Sequence, residues 1–391
     1  MKRMAILLAA LLPMLVSCSC KETMDELTDR VFDVAARQSE LMAASLGEDQ
    51  TPKTYEDGKF VTASPSWWCS GFFPGVLWYI YEYNSDPRFK ELAVRETAKV
   101  EDIKYVTDHH DVGFQINCSY GHQYRLTGDE HALDVLRTAA RSLTGAFTEE
   151  VGCIRSWPFV KKGFSWVYPV IIDNMMNLEL LMSVGNMDGD EWLRHVAISH
   201  ADKTIENHFR EDYTCCHLVD SVPDTGAVNK KITVQGLADD SAWARGQAWA
   251  LYGYTMMYEQ TEDVKYLHLA QNVGDMIESH LPEDGVPYWD FNDPDIPKAY
   301  RDASAAAVMA SAYIALDAVA DNGKDYLAIA ERQLRSLASE EYLAKVGENG
   351  HFILKHSVGN LPENAEVDVP LTYADYYFLE ALLRYRSAMT E

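Results

Sequence analysis

Two kinds of helical segment alternate along this chain, and that alternation limits the fold more than any other feature. One kind is amphipathic and opens on a turn: SDPRFKELAVRETA from Ser85, TGDEHALDVLRTAA from Thr127, GDEWLRHVAISHA from Gly189, TEDVKYLHLAQNV from Thr261 and GKDYLAIAERQL from Gly323. Each copy begins with turn chemistry and an acidic residue, then repeats apolar residues at helical spacing. The other kind is apolar on most faces and begins near Ser70, Val112, Asn174, Ser241, Ala303 and Asp375. An opening helix near residues 23 to 46 brings the count to about twelve. Helices that are apolar all round belong inside. Six of them ringed by six amphipathic ones make an all-α fold, the (α/α)6 barrel. An α-solenoid would not require one helix type to be so uniformly apolar.

The first residues, MKRMAILLAALLPMLVSC, combine two basic residues with an apolar run too short for a good membrane span. They read as a signal peptide over residues 1–17. The stretch Leu15-Val16-Ser17-Cys18 resembles a bacterial lipobox, which makes Cys18 the expected lipidated first residue of a single (α/α)6 domain over 18–391. The expected location is then the cell envelope of a Gram-negative-type bacterium, as a periplasmic or outer-membrane lipoprotein. A plain cleaved signal is the alternative, but no A-x-A site precedes the cysteine. The other cysteines, Cys20, Cys69, Cys118, Cys153, Cys215 and Cys216, show no C-x-x-C spacing, and no structural metal is expected. A net charge of −26 argues against nucleic acid and against a polybasic membrane surface, leaving the lipid anchor as the expected membrane contact. Loops around 220–239, 282–300 and 347–370 are long enough to be functional rim loops.

Several apolar segments start with aspartate: HHDVGF at Asp111, IIDNMM at Asp173, ADDSAW at Asp239 and Asp240, YRDASA at Asp302 and YADYYF at Asp375. In an up-and-down barrel all inner helices start at the same end, so these side chains gather at one mouth. Most are expected to be N-caps, because Asp is among the preferred capping residues. One or two can do more, since a cleft with several carboxylates forces their pKa values apart. Asp173 is the strongest case, because in YPVIIDNMMNLELL its isoleucine and methionine neighbours exclude water and raise a carboxyl pKa. Tryptophans crowd the same region: Trp67 and Trp68, Trp157, Trp166, Trp243 and Trp249. Trp78 and Tyr79, inside a helical segment, are expected in the core. Flat apolar faces beside carboxylates suit a sugar ring.

Five stretches carry a resemblance: SWWCSGFFPGVLW, HHDVGFQ, VIIDNMMNLELL, VQGLADDSAWARGQAWALYGY and VDVPLTYADYYFLEALLR. In this order, over roughly residues 60 to 388, they resemble the family 88 glycoside hydrolases, the unsaturated glucuronyl hydrolases. The resemblance implies the same (α/α)6 barrel and no cofactor. It also implies a substrate: an unsaturated uronic-acid oligosaccharide left by a polysaccharide lyase, such as a glycosaminoglycan-derived disaccharide. Such enzymes hydrate the C-4=C-5 double bond of the terminal residue, after which the glycosidic bond is lost. One carboxyl then serves as acid and base. By position in the motifs, Asp173 resembles that acid/base and Asp111 the second essential aspartate. The matching binding positions are His217, Gln235, Trp243, Arg245 and Trp249, with Trp68 and Trp157 as stacking candidates. Arg245 suits a substrate carboxylate, since its planar fork binds at two points; an ion pair with Asp239 or Asp240 is the structural alternative. Lys355, His356 and Ser357 are candidates for carboxylate or sulfate contacts, or else solvated loop residues. The competing functions are an unsaturated galacturonyl hydrolase acting on pectin fragments, another (α/α)6 enzyme such as an inverting glycosidase or a sugar epimerase, and a non-catalytic sugar-binding lipoprotein.

Overall fold

The computed structural model describes residues 22–390; the leader expected over 1–17 and the lipidation expected at Cys18 lie outside the described residues. The chain is built from helix pairs. Helix α1 (Met24–Ser45) opens with a capping box in which Thr23 and Glu26 satisfy each other's backbone N–H. It is followed by α2 (Phe72–Asn84), α3 (Pro87–Ala98), α4 (Val112–Ile116), α5 (His122–Thr127), α6 (Glu130–Leu143), α7 (Asn174–Asp188), α8 (Glu191–His208), α9 (Ala244–Thr261), α10 (Val264–His280), α11 (Ala303–Val319), α12 (Tyr326–Leu337) and α13 (Thr372–Ala388). A π-helical turn over Asn117–Gly121 joins α4 and α5 into one inner helix.

The turn signals in the sequence have a direct structural meaning. Ser85, Gly128, Gly189 and Glu262 adopt the left-handed conformation that ends an inner helix, each bonding its N–H back to the carbonyl four residues earlier. The next residue is always aspartate. Asp86, Asp129, Asp190 and Asp263 are extended and accept the N–H of Arg88, His131, Trp192 and Lys265, starting the outer helix. Asp325 does the same for α12, through Ala328. Each cap of this kind is worth about 1 kcal/mol.

Inner helices α2, α4–α5, α7, α9, α11 and α13 pack in that order, and α13 closes the ring on α2. Helices α3, α6, α8, α10 and α12 lie outside their inner partners, with α1 against α2 and α13. The ring is tight near its mouth. A Cβ on Gly113 of α4 would fall 2.6 Å from Asn177 of α7, and one on Gly253 of α9 would fall 2.5 Å from Met175. Only glycine allows these helices to approach so closely. Trp78 and Tyr79 are buried, as their place in α2 predicts. Among the described residues no helix is long and apolar enough to cross a membrane, and Cys69, Cys118, Cys153, Cys215 and Cys216 are all free and buried.

The long loops hold short strands, which helical periodicity cannot reveal. These are β1 (Thr51–Glu56), β2 (Lys59–Ala63), β3 (Phe147–Thr148), β4 (Cys153–Ile154), β5 (Pro169–Ile171), β6 (Leu218–Ser221), β7 (Val228–Ile232), β8 (Ser357–Asn360) and β9 (Ala365–Val369). They form antiparallel hairpins β1–β2, β3–β4 and β8–β9 and a three-stranded sheet β5–β6–β7.

The expectation that most mouth aspartates cap their helices is not met. Only Asp302 does so, accepting from Ser304 and Ala305. Asp111 and Asp173 stand at the N-cap positions of α4 and α7 with helical backbone and no side-chain cap bond. Asp375 lies inside the first turn of α13 and accepts the N–H groups of Ile353 and Leu354 instead. Asp239 accepts from Thr233 in the loop before α9, which starts at Ala244 rather than near Ser241.

Candidate active site

The three-stranded sheet brings the central side chains together. Strand β5 ends two residues before Asp173, β6 begins one residue after His217, and β7 ends shortly before Gln235. Pairing of Ile171 with Leu218, and of Leu218 with Ile232, therefore sets these three positions side by side. The N–H of Ile172 bonds the carbonyl of His217 at 3.0 Å, continuing the ladder into the site.

Asp173 is 7% exposed, and its Oδ2 is buried with no hydrogen-bond partner. Burial pushes its pKa up to about 6, helped by the nearby charge of Asp111 and opposed by His110 and Arg245. The result is a carboxyl poised to exchange a proton close to neutrality. His217 Nε2 lies 3.9 Å from that same Oδ2. Its Nδ1 accepts the N–H of Val234 at 2.9 Å and that of Gln235 at 3.4 Å. A ring nitrogen that accepts two N–H groups carries no proton, so the imidazole proton sits on Nε2. Burial, with the charges of Lys161 and Arg245, drives the His217 pKa down to about 3. His217 is thus a neutral, fixed N–H donor facing the carboxyl.

Asp111 has the opposite character. Burial works against its charge, yet the neighbouring His110 and His109 hold its pKa below the ordinary carboxylate value. His110 Nε2 is 3.2 Å from its Oδ1. His109 accepts the backbone N–H of Asp111 through Nδ1 at 3.1 Å. The site therefore holds one carboxyl inclined to keep its proton and one inclined to lose it. His110 is not among the residues expected from the sequence, where the doubled histidine before Asp111 is its only signal.

The remaining sequence-selected residues fall into two groups. Trp157 is half-buried beside His217, with ring centroids 6.2 Å apart, and Trp68 is half-buried against Phe72, Phe114 and Tyr373. Gln235 donates to the carbonyl of Gly359 at 3.3 Å. Trp243, Arg245 and Trp249, by contrast, are buried. Trp243 packs on His217 at 5.0 Å and under the guanidinium of Arg245 at 4.5 Å. Trp249 is fully enclosed against Phe114 and Tyr377. Arg245 is 1% exposed and pairs with Asp302 at 3.2 Å, rather than with Asp239 or Asp240. Its fork also donates to the carbonyls of Val358 and, at 2.7 Å, Gly359. It stacks on Tyr373 as well, so it binds β8 to the ring while its charge reaches Asp173. Lys355 and His356 bond Glu340 and Asp368 at the surface, and Ser357 is buried. Among the described residues no three His, Cys, Asp or Glu side chains converge to hold a metal ion.

With this geometry in view, a family model described as Glycosyl Hydrolase Family 88 matches residues 42–384. The chain belongs to glycoside hydrolase family 88. Among its family 88 relatives, the unsaturated glucuronyl hydrolase of Formosa agariphila is 47% identical over 320 residues, 81% of this chain and 79% of the relative. The unsaturated chondroitin disaccharide hydrolase of Streptococcus agalactiae is 32% identical over 365 residues, 91% of each chain. A crystal structure of an unsaturated glucuronyl hydrolase specific for heparin superposes with a TM-score of 0.91 at 44% identity, covering 94% of this chain and 99% of that one. The family 88 fold is the (α/α)6 barrel that the helix alternation predicts.

Proposed function

We propose that this family 88 protein is an unsaturated glucuronyl hydrolase that acts on lyase-generated, glycosaminoglycan-derived disaccharides. The observation that carries this reading is the unpartnered Oδ2 of Asp173, with a pKa near 6, facing the Nε2–H of His217 beside an ionised Asp111. The activities of the Formosa and Streptococcus relatives support it.

The chemistry follows from the two carboxyls. Asp173 in its acid form donates its proton to C-4 of the terminal unsaturated uronic acid, leaving positive charge shared between C-5 and the ring oxygen. Water adds its oxygen to C-5 and returns a proton to the Asp173 carboxylate, which restores the acid. The resulting hemiketal opens to a ketone, C-1 becomes a hemiacetal, and its collapse releases the second sugar. Because the attack is at C-5 and not at the anomeric carbon, the usual spacing between two glycosidase carboxyls does not govern the site. Asp111 holds sugar hydroxyls and keeps Asp173 protonated by its charge. His217 cannot accept a proton in the working pH range; it supports the carboxylate that forms after protonation of C-4, or the attacking water. Trp157 and Trp68 offer apolar faces to the sugar rings. Arg245 acts through β8, holding that strand against the mouth.

The test is direct. Unsaturated disaccharides from chondroitin, hyaluronan or heparin lose their double-bond ultraviolet absorbance on addition of the protein, while saturated analogues remain intact. Cleavage of the saturated compounds would contradict hydration, and consumption of pectin-derived fragments alone would favour the galacturonyl activity. The lipobox-like Leu15-Val16-Ser17-Cys18 further supports a protein tethered to the envelope through Cys18. On that proposal, Cys18→Ala moves it from the membrane fraction to the soluble one.

A further inference from the structure

Beyond Trp157 the mouth continues in an outward wall that the disaccharide chemistry does not use. Phe159 is 52% exposed, yet its ring is stacked 16° from parallel with Trp157 at 6.0 Å. With Val160 and Val167 of the same loop also more than half exposed, it belongs to an apolar patch of the kind that marks a binding surface. The loop that carries it is built, not slack. Trp166 Nε1 donates to the carbonyl of Phe159 at 2.7 Å, and the N–H of Phe164 bonds the carbonyl of Lys161 at 3.1 Å. Trp157, Phe164 and Trp166 pack with Ile171, Leu218, Ile232 and Val234 in a small apolar cluster of their own, anchoring the loop to the β5–β6–β7 sheet.

The charge of this wall is also unusual. The chain has 60 acidic residues in 391, yet residues 157–168 include none and carry Lys161 and Lys162. Lys230 of β7 reaches the same loop, donating to Ser165. Lys161 lies 5.7 Å over the ring of Trp157 and pairs with Glu363 at 3.1 Å. Within an acidic molecule, this is a local basic and aromatic strip leading away from Asp173.

Direction matters here. The unsaturated residue is the non-reducing end of its chain, so with its double bond at Asp173 every further sugar extends outward. The order of side chains is Asp173, His217, Trp157 and then Phe159, each next to the one before. We propose that Phe159, with Lys161 and Lys162 beside it, forms an outer subsite for the third and later sugars of an anionic unsaturated oligosaccharide. The inference rests on the hydrolase reading above, and names the side chains of this chain that meet the sugars beyond the second.

The experiment compares KM and kcat for an unsaturated disaccharide and an unsaturated tetrasaccharide cut by a lyase from the same sulfated glycosaminoglycan. The wild-type protein has the lower KM for the tetrasaccharide. Phe159→Ala raises that KM about fivefold, the scale of one aromatic stacking contact, and leaves the disaccharide constants unchanged. Phe159→Tyr retains wild-type behaviour. Lys162→Ala raises the tetrasaccharide KM at low salt and not at high salt. Equal effects of Phe159→Ala on both substrates, no effect on either, or a wild-type KM no lower for the tetrasaccharide would each overturn the subsite while leaving the hydrolase reading intact. Failure of the wild-type protein to consume either substrate removes both.

Discussion

Four aspartates at the floor of the barrel and two at its mouth are used in opposite ways, although Asp302 at the mouth caps its helix as the floor residues do. At the floor, Asp86, Asp129, Asp190 and Asp263 follow a left-handed residue, take up extended backbone and accept a free N–H in the first turn of an outer helix. At the mouth, Asp111 and Asp173 stand at the same formal position of their helices but have helical backbone and leave those N–H groups alone. Residue type and helix position are shared; what differs is what the oxygens meet, a helix N–H at the floor, and at the mouth His110 for Asp111 and no partner for Asp173 Oδ2. A committed carboxylate holds structure, and an uncommitted one in a dry place can exchange a proton.

Substitution breaks or sharpens this contrast. The largest effect is expected from Asp173→Asn, which removes the proton donor and lowers kcat on the order of 10³-fold or more in the absorbance assay. Its thermal stability should not fall. Burial raises the pKa of this group, so ionisation is a cost to the folded state that grows as the pH climbs through the interval up to about 6. The variant escapes that cost, and a melting temperature well below wild type at about pH 7.5 would put Asp173 among the structural aspartates. Asp111→Asn comes next, with a loss of about 10²-fold through positioning and through the lowered pKa of its neighbour.

The pH profile gives a third measurement. Since Asp173 must hold its proton to begin the reaction, kcat/KM should fall on the alkaline side of about pH 6, by about tenfold per pH unit once well beyond the break. Asp375 is the control. Burial raises its pKa also, to about 7, but each of its oxygens takes a backbone N–H, from Ile353 and Leu354. Asp375→Asn offers one acceptor for two donors and should cost about 1–3 kcal/mol of stability in a denaturant titration without moving the alkaline break. The smallest effect belongs to the floor: Asp190→Ala removes a cap, costs about 1 kcal/mol and leaves kcat unchanged. A lost activity there would erase the distinction between the two ends.

Much of the architecture is legible in the sequence because helical periodicity and turn chemistry are local. The starts at Val112, Asn174 and Ala303 coincide with α4, α7 and α11, and the opening helix differs from its expected span by one residue at each end. Ser70 and Asp375 each differ by two or three residues from the observed starts of α2 and α13. What periodicity cannot carry is long-range pairing. Strand β5 has three residues and meets β6 almost fifty residues later, so nothing within either segment announces the sheet that brings His217 to Asp173. The partner of Arg245 is hidden for the same reason: Asp239 and Asp240 are near in sequence, whereas Asp302 is near in space. Asp375 misleads differently, since its carboxyl serves a loop rather than its own helix. Within the aromatic set, the sequence marks the tryptophans, but only three dimensions separate half-open Trp68 and Trp157 from enclosed Trp249.

The glycine contacts between inner helices restrict where the molecule can be redesigned. Where Gly113 meets Asn177 and Gly253 meets Met175, there is no room for even one added carbon, so the spacing of these helices cannot be retuned by side-chain exchange at either glycine. Ligand preference can instead be altered in the loops that overhang the ring, by changing their length, charge or aromatic content, without disturbing either contact.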